Sequence, residues 1–160
     1  MIRHRHRKYL NKKMILISHR GNINGPDPEL ENKPEYIDTA IYLGYDVEID
    51  VQIIDNEIYL GHDRPQYKIN IEWIYVRTNK LWVHCKNIEA IEFFSYIENN
   101  NKINYFWHQE DTVTLTSKRY VWAFPGKQPI KNSIAVLPEI YKDPVNQCTG
   151  VCSDYISKYV

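Results

Sequence analysis

Four short stretches of this chain carry side chains that could do chemistry together: His19 with Arg20, Glu48 with Asp50, His62, and His84 with Lys86. Side chains alternate across a strand, so Glu48 and Asp50 point one way from an extended run, as do His84 and Lys86, while Ile49 and Cys85 point the other way. Two carboxylates side by side on a buried strand repel each other and normally persist with a cation between them. Oxygen ligands of this kind suit a hard divalent metal. Arg20 and Lys86 bring fixed positive charge to the same point, which fits an anionic, phosphoryl-type ligand. His19 and His62 form a titratable pair suited to donating and accepting a proton near neutral pH.

Gathering these groups requires elements that end where they lie. Residues 15–18 are a short β-rich apolar run that stops at His19, because the Gly21 to Pro28 stretch can continue neither strand nor helix. Helical spacing of Tyr36, Ile37, Ala40, Ile41 and Leu43, with Pro34 before and Gly44 after, predicts a first helix. Residues 46–54 then alternate as a strand with Asp46, Glu48 and Asp50 on one side. A turn at Asp55-Asn56 and a short strand over 57–60 deliver Gly61-His62-Asp63 into a loop; a weak helix over 70–78, a strand over 81–85 and a helix over 88–97 follow. Strand and helix alternate three times, which predicts parallel strands with crossover helices. Beyond Asn101 the strand-like runs are only about a dozen residues apart, with no room for full helices. About eight strands in all predict a compact, reduced TIM-type (β/α) barrel, helices mainly in its first half and short connections in its second, with catalysis at the C-terminal mouth. His108, Trp122 and Glu139 sit at further strand ends and are candidate pocket residues, the two aromatics with core packing as the competing role.

The composition narrows the function classes. At 160 residues with 43% hydrophobic content the chain suits one domain with a real core. Its formal net charge is zero, but residues 1–13 hold six basic residues and no acid, leaving an acidic remainder. We therefore expect a basic leader over 1–13, a single domain over 14–160, and no nucleic-acid partner. Cys85, Cys148 and Cys152 form no paired framework or zinc knuckle, which suits a reducing compartment. The apolar run at residues 14–17 is too short for a signal peptide or a membrane span, so a cytoplasmic location without a membrane anchor is expected.

The run His19-Arg20-Gly21, then Glu31-Asn32, Ala40, Gly44, Asp46, Glu48-Ile49-Asp50-Val51, Asp55 and His62-Asp63 resembles the glycerophosphodiester phosphodiesterase family, within the phospholipase C-like phosphodiesterases. Order and spacing match over roughly residues 15–63. Asp154, in Gly150-Val151-Cys152-Ser153-Asp154, resembles the acid of the family's last strand, and the segment from Phe106 to Asp111 is similar to a compact subgroup. Between Trp107 and Glu139 the match is loose.

The resemblance implies a phosphoric diester hydrolase, or a lyase that stops at a cyclic phosphate, acting on a small glycerophosphodiester-like or phospholipid-derived substrate. Glu48 and Asp50 would hold magnesium or calcium, Arg20 and Lys86 would clamp the phosphate, and His19 and His62 would share general acid and base duty. The family's acid-x-Lys pair reads here His84-Cys85-Lys86. An imidazole in place of that carboxylate ligand weakens the site for magnesium or calcium, which stay the first expectation, and opens manganese or zinc as alternatives, or else His84 contacts substrate or orients Glu48 instead of binding metal. A non-catalytic module that binds a phosphate ligand on the same scaffold is the alternative.

Overall fold

A computed structural model describes residues 13–98 and 102–160, so all of the basic leader but Lys13 lies outside the described residues. Along the chain the strands are β1 (Ile15–His19), β2 (Asp46–Ile54), β3 (Glu57–Leu60), β4 (Tyr67–Ile69), β5 (Leu81–Cys85), β6 (Asn104–Trp107), β7 (Val113–Leu115), β8 (Val121–Ala123), β9 (Ser133–Val136) and β10 (Gly150–Ser153). Three short helices interrupt them: α1 (Pro34–Tyr42) between β1 and β2, α2 (Ile71–Tyr75) before β5, and α3 (Ile88–Tyr96) before β6.

All ten strands belong to one curled sheet. Neighbours run β6-β5-β2-β1-β10-β9-β8 in parallel, and β7 adds to β8 antiparallel. β2 is long enough to serve three partners. Its first half pairs with β1, residues 47–51 pair with β5, and its second half carries an antiparallel ribbon of β3 and β4.

This architecture corrects the expected TIM-type barrel, which needs helices alternating with strands all the way round. The ribbon after β2 is antiparallel, and from β6 to β10 the strands are joined by turns alone. The connection from β8 to β9 contains Pro125, Gly126 and Pro129, which no helix of that length tolerates. β6 and β7 do not pair. The hairpin turn between β7 and β8 reaches β6 at the base through the Ser117 N–H donating to the Tyr105 carbonyl at 2.8 Å, and at the mouth the rings of His108 and Phe124 meet at 5.7 Å.

Alternation sorts the side chains into two cores. On the outer face Val47, Ile49, Val51 and Ile53 of β2, with Leu81, Val83 and Cys85 of β5, meet Ile37 and Ala40 of α1 and Ala90 and Phe94 of α3. Gly44, at φ +98°, ends α1 with its N–H on the Ile41 carbonyl. Asn87 caps α3 through the Ala90 N–H and also exchanges two hydrogen bonds with the Ile53 backbone, tying that helix to the end of β2. On the inner face Ile17, Trp82, Phe106, Trp122, Ile134 and Cys152 fill the base of the curl. Two residues further along, the inner face turns polar on β1, β5, β6 and β10, at His19, His84, His108 and Asp154, and stays apolar on β8 and β9, at Phe124 and Val136. No helix among the described residues is long and apolar enough to cross a membrane.

Candidate functional site

Glu48 and Asp50 occupy successive inward positions on β2 and are 1% and 0% exposed. Asp50 is heavily supported. Its Oδ2 accepts from Asn32 Nδ2 at 2.9 Å and pairs with Arg20 Nε at 2.9 Å, while its own N–H donates to Asn32 Oδ1. Asn32 takes a left-handed backbone, φ +62°, to present both side-chain atoms to one residue. Burial pushes the Asp50 carboxyl up, but hydrogen bonding from His84, the Arg20 charge and Asn32 together hold it below the ordinary carboxylate range.

His84, one register position across on β5, completes the cluster. Its Nδ1 lies 3.2 Å from Asp50 Oδ1 and 3.4 Å from Glu48 Oε1, and its ring stacks on Phe106 with centroids 5.0 Å apart. Its Nε2 lies 2.8 Å from the His108 carbonyl oxygen, which can only accept, so Nε2 carries a proton and Nδ1 is the atom left to face the two acids. A bare lone pair there would face two carboxylates. The position therefore holds either a proton or a metal ion. Without metal, burial lowers the His84 pKa, but the bonds and charges of Asp50 and Glu48 outweigh it and raise the value to about 9.

Glu48, Asp50 and His84 could hold a metal ion: each offers one ligand atom, all within 4.8 Å of one another. The residues fit such an ion on two counts. Glu48 Oε2 is buried with no hydrogen-bonding partner, a costly state that a cation would relieve. The bond from Nε2 to a backbone carbonyl is also the usual outer support of a metal-binding histidine.

His19 ends β1 beside this cluster. Asp154 Oδ1 takes its Nδ1 at 2.7 Å, and its Nε2 faces Glu48 Oε2 at 3.9 Å. Burial lowers the His19 pKa, while Asp154 and Glu48 more than offset it and the net shift is upward. Asn22 Nδ2 bonds the same Asp154 oxygen at 2.8 Å, and Glu139 Oε1 accepts from Ser153 Oγ and the Asp154 N–H. Glu139 thus supports Asp154 from behind, and it is not among the residues lining the cavity. His62 reaches the site from the loop after β3, half exposed, its Nδ1 2.6 Å from Asp63 Oδ1.

A cavity of about 520 Å³ brings together His19, Arg20, Glu48, His62, His84 and Lys86, with His108 and Trp122 also on its surface. Arg20 serves two masters there, since its guanidinium also meets Glu31 Oε2 at 3.1 Å. Trp122 is 3% exposed and packs on Phe106 and Trp82, so it is chiefly floor. His108 is buried with neither ring nitrogen bonded. Burial, followed by the His84 and Lys86 charges, keeps it below the usual imidazole range, so it faces the cavity as a neutral donor and acceptor.

No family model, curated protein or solved structure matches the chain. The chemistry of the site has to be read from its own atoms. Two histidines, each with Nδ1 on an aspartate, leave two Nε2 atoms for proton transfer, a carboxylate–imidazole cluster offers a cation site, and Lys86 has no carboxylate partner among the described residues. Asn22, Asp63 and the apolar residues Phe124, Leu137 and Ile140 were not legible as site residues, because an asparagine in a turn or a leucine after a strand has no spacing signal of its own.

Proposed function

We propose that this chain is a divalent-metal-dependent phosphodiesterase of the glycerophosphodiester phosphodiesterase type, using His19 and His62 as its acid and base. One observation carries the reading: His19, held at Nδ1 by Asp154, stands 3.9 Å from a buried glutamate oxygen that has no partner, on one cavity wall with a second aspartate-bound histidine and Lys86. A binding site for phosphate alone needs cations, not two histidines arranged with free Nε2 atoms.

In this reading Lys86 and the outward edge of the Arg20 guanidinium hold the nonbridging phosphoryl oxygens. Glu48, Asp50 and His84 would hold a divalent ion, which would supply positive charge to stabilise the phosphoryl group. Its mixed oxygen and nitrogen donors accommodate manganese or zinc as well as magnesium or calcium. One histidine removes the proton from the attacking hydroxyl and the other protonates the departing alkoxide. Where the attacker is a neighbouring hydroxyl of the substrate itself, the effective concentration is high and the product is a cyclic phosphate; where it is water, the product is a monoester.

A second reading has its own support. With His84 protonated and Arg20 paired to Asp50, both carboxylate charges are matched without an ion, as a phosphate-binding module with no turnover would require. Phosphorus NMR separates the two: metal-stripped protein is incubated with glycerophosphodiesters and lysophospholipids, and magnesium, calcium, manganese or zinc is restored in turn. Signal moving to a monoester or cyclic phosphate with metal, and lost in His19→Ala, is the expected result. Ligand-induced stabilisation with no conversion under any metal would establish the binding module.

A further inference from the structure

The cavity has two chemically different walls, and only one of them serves the phosphate. The polar wall comes from β1, β2 and β5, the loop after β3, and the segment just after β6, where His108, Gln109 and Glu110 also line the cavity. The facing wall comes from the ends of β8 and β9 and the turns that follow, and it presents Trp122, Phe124, Pro125, Val136, Leu137 and Ile140, with no charged or hydrogen-bonding side chain except the Trp122 indole. Phe124 and Ile140 are 41% and 56% exposed. Large apolar side chains left uncovered together at a cavity mouth mark a ligand surface, whereas singly scattered ones mark nothing. Behind them Trp122 and Val136 belong to the inner core, so the wall is firmly backed.

We propose, resting on the phosphodiester reading above, that the substrate is amphiphilic: its alcohol portion is an alkyl chain laid against Phe124, Leu137 and Ile140 while its phosphate sits at Arg20 and Lys86. Laid on Phe124, Leu137 and Ile140 a polyol would turn its hydroxyls toward carbon and lose hydrogen bonds to water, with polar side chains only at the edge where His108 meets Phe124. An alkyl chain loses nothing and removes the exposed faces of Phe124 and Ile140 from water. The continuity of the cavity makes one molecule with a charged head and an apolar tail the occupant that satisfies both walls.

The test is calorimetric titration of the intact protein with n-alkyl phosphates from methyl to octyl, kept below their aggregation concentration, with and without magnesium. Affinity should rise roughly three- to fourfold per methylene while the chain lies on the wall. In an Ile140→Ser variant, whose site is 56% exposed, that slope should flatten while methyl phosphate binds as before. A flat series in the unaltered protein, or an unchanged slope in the variant, overturns the proposal. Octyl phosphate bound as a dispersed monomer would identify a soluble amphiphile, and binding confined to vesicles containing phosphatidic acid a membrane-presented one. Phosphorus NMR on methyl and octyl diesters keeps the two readings apart. Equal cleavage of both retains the phosphodiesterase and sinks the apolar subsite; chain-dependent binding without cleavage does the reverse.

Discussion

Asp154 fixes the tautomer of His19, so its loss should be felt in catalysis before stability. With Nδ1–H bonded to the carboxylate, Nε2 is the atom that faces Glu48 and the cavity. Asp154→Asn can donate at the same place and stabilises the wrong tautomer, so we expect turnover to fall by about 10²–10⁴, the usual contribution of a positioned acid or base. Steady-state kinetics beside a melting curve checks this; unaltered turnover would remove His19 from the acid–base pair. His84 gives a pH signature. Its pKa in the folded metal-free protein, about 9, lies above the ordinary 6.5, so its stabilisation is complete below about pH 6.5 and is lost as pH rises toward 9. The span is at most about 3 kcal/mol. Urea unfolding of metal-free protein across that interval should show the decline, and a saturating divalent ion should abolish it by taking the proton's place; equal stability at both ends would mean that His84 carries no such proton. Glu48, Asp50, His84 and Lys86 were legible because alternation on a strand fixes their side. Glu139 was not, since the residue after Pro138 shows no sign that it faces away from the cavity and braces Asp154.

At the scale of elements, the turn after β3 is constrained at Gly61. Gly61 takes φ +143°, and a Cβ there would run into the Arg64 carbonyl oxygen. Gly61→Ala should therefore displace His62, lowering turnover with the sheet retained; unchanged kinetics with native circular dichroism would show that His62 is not positioned by this turn. Phe94, fully buried between α3 and the outer face of β2 and β5, tests the packing instead: Phe94→Ala should cost about 3–5 kcal/mol in chemical unfolding. β1, α1, β2, β5 and α3 were readable because each spans enough residues to display a period, whereas β4, only three residues at Tyr67–Ile69, showed none and was not expected. From β6 onward the strands are three or four residues long, too short to reveal which partner each takes or in which direction. Val113–Leu115 pairs antiparallel with β8, and nothing in those three residues says so. Counting strands therefore suggested a barrel, while pairing, which a count does not contain, made an open sheet.

For the whole molecule, an ion at Glu48, Asp50 and His84 links binding to folding, because three strand positions on β2 and β5 come together only in the folded chain. A divalent ion at about a hundred times its dissociation constant should add about 2.7 kcal/mol, and a chelator should take it away. For a chain of this size that corresponds to roughly 5–10 °C in the melting temperature; a melting curve indifferent to every divalent ion would remove the metal from this cluster. The polar and apolar walls lie on opposite halves of the sheet, whose ends meet at the base where the Ser117 N–H donates to the Tyr105 carbonyl, the Tyr105 N–H donates to Ser117 Oγ, and that hydroxyl donates to the Ile103 carbonyl. These bonds act as a clasp on the rim of an unclosed cup. No strand ladder joins β6 to β7, so the Ser117 amide should exchange its hydrogen with water faster than the amides of β1 or β5. A molecule that grips both walls will slow that exchange from across the cavity, without touching Ser117 at all.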